Sequence, residues 1–67
     1  MIDARGLGSP MPVLMLQKAM KSKDTCYEVL VDSESSCEAV RKFAESQACN
    51  VEIENRRGNV LIRIRTA

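Results

Sequence analysis

The chain has 67 residues, ten of them basic and nine acidic, for a net charge of +1. A chain this short holds one domain, 1–67, and buries only about 60% of the surface its unfolded form exposes. The near-neutral balance predicts no general attraction to nucleic acid or membrane surfaces. The longest apolar run, Val13 to Leu16, is far too short to cross a bilayer.

Apolar residues make up 45% of the chain, with one Phe and one Tyr, so the core is expected to be mainly aliphatic. Three cysteines, at positions 26, 37 and 49, form no Cys-x-x-Cys pair, and there is no histidine. That excludes a disulfide framework and a usual zinc site; no metal and no cofactor is expected. Reduced cysteines point to the cytoplasm. Met1-Ile2-Asp3 leads directly into the first strand, leaving no room for a signal peptide.

Residues 2–5 read as the first strand. Gly6-Leu7-Gly8-Ser9-Pro10-Met11-Pro12 then forms a turn into a helix predicted over 10–22. Two glycines permit the sharp turn. Ser9 suits the N-cap and Pro10 the first helical position. Pro12, as third helical residue, gives up an N–H the helix does not need, although it pushes Met11 away from helical geometry. Val13, Leu14, Met15, Leu16, Ala19 and Met20 make a wide apolar stripe, with Gln17, Lys18 and Lys21 toward the other face. Lys18, Lys21 and Lys23 suit the C-terminal end of the dipole.

Ser22 to Thr25 is a polar turn. Cys26 to Val31 is almost continuously apolar and reads as an inner strand. Ser35-x-x-Glu38 fits a capping box, with Ser33 as the competing N-cap. A helix over about 35–47 follows, with Cys37, Val40, Ala44, and with them Phe43 and Gln47, on its buried side. It lacks a terminal glycine, and Asn50 is the candidate for a left-handed turn.

Val51 and Ile53 alternate with Glu52 and Glu54, and Val60, Ile62 and Ile64 with Arg63 and Arg65. A hairpin centred on Arg57-Gly58 sets Ile53 opposite Ile62, Val51 opposite Ile64, and Glu52 opposite Arg63. One face is apolar and one charged, so helices are expected on one side only. The order strand, helix, strand, helix, strand, strand gives an α+β fold, two helices on one face of a four-stranded sheet. The charged face is either solvated or covered by a partner domain.

The residues Asp3-Ala4-Arg5-Gly6-Leu7, followed by position 9 and Pro-x-Pro, resemble the TusA/SirA/YedF-like family of small sulfur-handling proteins. That family carries Cys-Pro-x-Pro, and its cysteine bears a persulfide or related adduct. Here Ser9 stands in the cysteine's place, while Pro10 and Pro12 match. Val40 to Gln47 resembles the YedF-like branch linked to selenium metabolism, and Ala48 stands where the family often has glycine. The resemblance implies a two-layer sandwich with a mixed sheet and a sulfur-transfer or redox protein as partner. In the YedF-like branch it implies a second domain beyond Ala67. Gly6, Leu7, Pro10, Met11 and Pro12 become the candidate partner-binding residues.

With cysteine at position 9, the helix terminus would stabilise a thiolate that accepts a terminal sulfur and yields it to a second thiol. A serine hydroxyl forms no such carrier, and without histidine a Ser-His-Asp arrangement is excluded. Ser9 therefore reads as a cap, not a catalyst, and the chain as inactive in relay, or as a non-catalytic partner-binding or regulatory module. Gly8 beside Ser9, where the family often has Ala, and three other cysteines left in place favour a natural departure over an introduced Cys→Ser change. Cys49, in the loop after the second helix, and Cys37, in its first turns where the pKa could fall, are the candidate substitute thiols. Cys26 is expected in the core.

Overall fold

A computed structural model of the chain describes residues 1–8 and 10–66. The elements are β1 (Ile2–Asp3), α1 (Met11–Met20), β2 (Cys26–Val31), α2 (Glu34–Ser46), β3 (Asn50–Arg56) and β4 (Asn59–Arg65). The sheet runs β1-β2-β4-β3. β1 is parallel to β2, and β4 is antiparallel to both β2 and β3, so the sheet is mixed. Both helices pack on one side, giving the expected α+β fold of two layers. The last strand, β4, is inserted between β2 and β3, and Leu61, Ile62 and Ile64 are accordingly buried.

The hairpin has the predicted register: Ile53 faces Ile62, Val51 faces Ile64 and Glu52 faces Arg63. Gly58, at φ +82°, closes the turn. Tyr27, Val29, Val31, Ile62 and Ile64 meet Leu16, Val40 and Ala44 from the helices in one aliphatic core. The opposite face is not purely charged. Leu30 and Leu61, opposite each other on β2 and β4, are buried there. Arg63 bonds Glu28 on β2 at 3.2 Å and Glu54 on β3 at 3.1 Å, tying three strands together on that face.

Element boundaries differ from expectation for local reasons. β1 stops at Asp3 because its carboxylate captures Arg5, through the backbone N–H at 3.2 Å and the guanidinium at 2.9 and 2.8 Å. Asp side chains compete in this way with ladder pairing. α1 begins one residue later than predicted. Leu14 N–H donates to Pro10 O at 3.1 Å, which makes Pro10 the N-cap, and Pro12 the second helical residue. The proposed Ser9 cap lies outside the described residues. At its far end α1 stops at Met20, and Lys23 takes the left-handed conformation at φ +58°. Leu14, placed on the apolar stripe from sequence, is exposed; Pro12 and Leu16 are the buried side chains of that helix.

α2 is capped by Ser33, not Ser35. Ser33 is extended, its Oγ accepts the N–H of Ser36 at 3.2 Å, and Glu34 occupies the first turn where its charge suits the dipole. The left-handed residue after α2 is Ala48, at φ +60°, and Asn50 is already in β3. Cys49 N–H reaches Ala44 O at 3.1 Å and Ala48 N–H reaches Glu45 O at 3.0 Å. These are the paired bonds of a Schellman motif, completed by an apolar contact from the residue after the left-handed one. Cys49 is that residue, and it turns inward into the core beside Ala44. Gln47, at the helix end, is exposed.

Candidate functional site

The turn Gly6–Pro12 leaves the C-terminal end of β1, beside the C-terminal end of β2 and the start of β4. Gly6 adopts φ +74°, a conformation that costs other residues strain. Leu7 N–H then folds back to Ala4 O at 3.3 Å. Two longer-range bonds hold this turn to the sheet. Ala4 N–H donates to Leu30 O at 2.8 Å, extending the β1–β2 pairing past Asp3. Gly6 N–H donates to Asp32 Oδ2 at 2.8 Å, from a residue 26 positions away. Sequence reasoning placed Asp32 only in a turn. Its position directly after a buried strand is the one signal that its carboxylate stands at the sheet end, and nothing in the sequence marks Gly6 as its partner.

Met11 N–H donates to Gly8 O at 3.0 Å. It is therefore engaged within the turn. Pro10 and Pro12 have no N–H, so the helix terminus presents fewer donors than an ordinary one. Leu7, Met11 and Leu14 are exposed around the turn, while Pro12 is buried beneath it. Of the candidate partner-binding residues, Gly6, Leu7, Pro10 and Met11 are thus on the surface and Pro12 is a core residue. A shallow depression beside the turn is lined by Asp3, Arg5, Gly6, Leu7, Asp32 and Asn59. Within it the Arg5 guanidinium holds the Asp3 carboxyl down to about 2. Asp3, and to a lesser extent Asp32, raise the pKa of Arg5 in turn. Asp3 and Arg5 are both fully ionised at neutral pH.

The three thiols are arranged differently from expectation. Cys49 is 9% exposed, not the accessible loop thiol, because the Schellman motif folds it inward. Cys26 is exposed, not core, because it begins β2 on the same face as Glu28 and pairs with Arg65 at the sheet end. Six residues of β2 separate it from the motif end, roughly 17 Å at strand spacing. Cys37 is half-buried. It lines a groove between the start of α2 and the hairpin that shares Asp32 and Asn59 with the depression beside the motif. Burial first, then the carboxylates of Glu38 and Glu34, push its pKa up, so the helix terminus does not generate a thiolate there. Among the described residues no cluster of three or more His, Cys, Asp or Glu side chains is placed to hold a metal ion. None of their helices is long and apolar enough to cross a membrane.

Comparison with known proteins fits this geometry. The family model described as "Sulfurtransferase TusA" matches residues 1–66. The crystal structure of a SirA-like protein from Desulfitobacterium hafniense superposes with a TM-score of 0.84 at 31% identity, covering 96% of this chain and 92% of that one. None of the curated proteins matches the chain. The chain belongs to the TusA family of sulfurtransferases, the sulfur-relay family that includes SirA-like proteins.

Proposed function

We propose that this chain is a relay-family domain of the YedF-like branch that has kept the family's docking turn and given up the carrier atom. It acts in the cytoplasm by binding a sulfur- or selenium-transfer protein, or a redox partner, through Gly6–Met11, and takes no sulfur at position 9. The observation that carries this reading is the separation of the turn from any usable thiol. Position 9 holds serine. Cys49 is buried, Cys26 stands at the other end of β2, and Cys37, in the groove that shares Asp32 and Asn59 with the depression beside the turn, is half-buried with a raised pKa. The turn itself remains built: Asp32 and Ala4 anchor it, and Leu7, Met11 and Leu14 surround it with exposed apolar surface. In the full-length protein a second domain following Ala67 is part of the same proposal.

The test is incubation of the chain with a cysteine desulfurase and cysteine, followed by intact and peptide mass measurement. The expected result is no added sulfur on any residue, with the desulfurase still captured by the chain in a binding titration. A sulfur adduct on Cys37, Cys49 or Cys26 would replace the binding-module reading with relay through a substitute thiol.

A further inference from the structure

Among the described residues no strand pairs with the outer edge of β3. It is the last strand in the order β1-β2-β4-β3 and runs seven residues, Asn50–Arg56. The turn Arg57-Gly58 makes Arg56 and Asn59 the closing pair of the hairpin. A closing pair across a two-residue turn exchanges both backbone bonds. Alternation then directs the N–H and C=O groups of Asn50, Glu52, Glu54 and Arg56 to β4, and those of Val51, Ile53 and Asn55 outward. No proline or bulge interrupts this row, and the charges along it are Glu52, Glu54 and Arg56. Ile53, at its middle, is 44% exposed although it points to the helix-covered face. It lines the groove between α2 and the hairpin, together with Cys37, Val60, Glu34 and Glu38.

We infer that this edge pairs with β3 of a second copy of the chain, antiparallel about a two-fold axis through Asn55. Such an axis, perpendicular to the sheet, must pass through one residue of the strand and its own copy, and it keeps the helices of both copies on one side. Centres on Glu52, Ile53 and Glu54 overlap five, seven and five residues of β3, and centres on Val51 and Asn55 overlap three. Centring on Ile53 sets Glu52 opposite Glu54 twice, centring on Glu52 or Glu54 sets that carboxylate against itself, and centring on Val51 faces no like charges but pairs no opposite ones. Like charges directly opposite destabilise a pair. Centring on Asn55 sets Glu54 opposite Arg56 of the second copy and Arg56 opposite its Glu54, with no like charges facing. These are non-hydrogen-bonded positions, where side chains stand closest. Glu54 and Arg56, now 2.5 Å apart within one strand, thereby gain partners across the axis.

The same register uses the exposed isoleucine. Arg57 of the second copy stands opposite Ile53, where its stem covers the side chain and its guanidinium faces the groove rim of Glu34 and Glu38. The overlap is short, so the contact belongs to the small, transient class of interfaces. β3 lies at the opposite edge of the sheet from β1, so both Gly6–Pro12 turns stay uncovered.

Sedimentation equilibrium from about 10 µM to about 1 mM, with reductant present, tests this. A concentration-dependent monomer–dimer equilibrium is expected. Asn55→Pro removes an outward N–H at an edge position that tolerates proline, and is expected to abolish the dimer with an unchanged circular dichroism spectrum. Glu54→Arg or Arg56→Glu alone is expected to raise the dissociation constant roughly three- to thirtyfold, and the double exchange to restore it. A chain monomeric throughout the range overturns the proposal. So does a dimer that survives Asn55→Pro, that the double exchange does not restore, or that forms only without reductant through Cys26.

Discussion

Asp32 and Gly6, 26 residues apart in the chain, are joined by a 2.8 Å hydrogen bond from the glycine N–H to the carboxylate. The bond links the end of the most buried strand to the start of the Gly6–Pro12 turn. Asp32→Ala removes the acceptor and leaves the backbone of Gly6 to solvent. The expected cost is roughly 0.5–1.5 kcal/mol of stability, because the carboxylate is exposed and water competes for it. The more specific readout is amide exchange. The Gly6 N–H should exchange faster in Asp32→Ala and recover much of its protection in Asp32→Asn, whose side-chain oxygen can still accept. Unchanged Gly6 exchange in the alanine variant would show that the turn holds itself.

Ala48 carries a left-handed backbone, φ +60°, that glycine adopts without strain. The strain for other residues is about 1–2 kcal/mol. Ala48→Gly is therefore expected to stabilise the fold by about 1 kcal/mol, part of the gain being lost to the freer unfolded chain. Urea melts of the two proteins decide it. A destabilised glycine variant would mean that the Ala48 methyl makes a contact outweighing the backbone strain.

How much of this was legible in the sequence depends on the range of the interactions. The hairpin register was readable because Val51, Ile53, Ile62 and Ile64 alternate cleanly and Gly58 marks the turn. The order of burial among the cysteines was not. Cys49 is buried through a chain reversal at Ala48, a residue with no intrinsic preference for that conformation. Cys26 is exposed because alternation along β2 turns it, with Glu28, to the face the helices do not cover, which apolar content alone does not reveal. The turn residues were legible as a motif, yet Pro12 was read as part of the exposed turn, whereas it lies four residues before Leu16 on the buried face of α1.

That burial changes what Pro12→Ala should do. An exposed turn proline could be replaced at little cost to folding. Pro12 is instead fully buried at the second helical position. Truncation removes about two buried methylene groups, each worth about 0.8 kcal/mol, partly offset by the better helix propensity of alanine. A net loss of roughly 1 kcal/mol is expected, with partner affinity falling through loosening of the turn. Thermal melts beside partner titrations separate the effects; weakened binding at unchanged stability would place the Pro12 ring at the interface instead.

Asp3 supplies a pH signature. Its carboxyl is held at about 2, against an ordinary value of 3.8, chiefly by hydrogen bonds from the Arg5 side chain and backbone. The folded-state pKa is below the unfolded one, so the stabilisation is fully present above the unfolded value. It is lost as pH falls from about 3.8 through about 2. Both groups are exposed, so the effect on global stability is small. Carboxyl-carbon NMR titration should give a midpoint near 2 for Asp3, rising toward the usual range in Arg5→Ala. A midpoint unmoved by that substitution would remove Arg5 as the cause.

Ser9→Cys puts a sulfur atom at the proposed carrier position and asks whether the surrounding turn supports relay. The thiol would directly precede the α1 terminus, whose dipole favours the thiolate by roughly 0.3–1 kcal/mol when exposed. That corresponds to about 0.2–0.7 of a pKa unit. A cysteine starting near 8.5 would titrate at roughly 8. Larger shifts are not expected, for two reasons in the turn itself. Met11 N–H is already bonded to Gly8, and Pro10 and Pro12 contribute no donors. Arg5, the nearest cation in sequence, is engaged with Asp3 at 2.8 Å. Reactivity at position 9 should therefore come from accessibility and from partner docking at Leu7 and Met11 more than from thiolate content. Alkylation rate against pH, and loading by a persulfide donor with the Ser9 chain as background, measure the two separately. The expected outcome is a midpoint near 8 and sulfur loading at the Ser9→Cys thiol alone. A thiol that alkylates freely yet refuses sulfur would mean that the turn binds partners without orienting them for transfer.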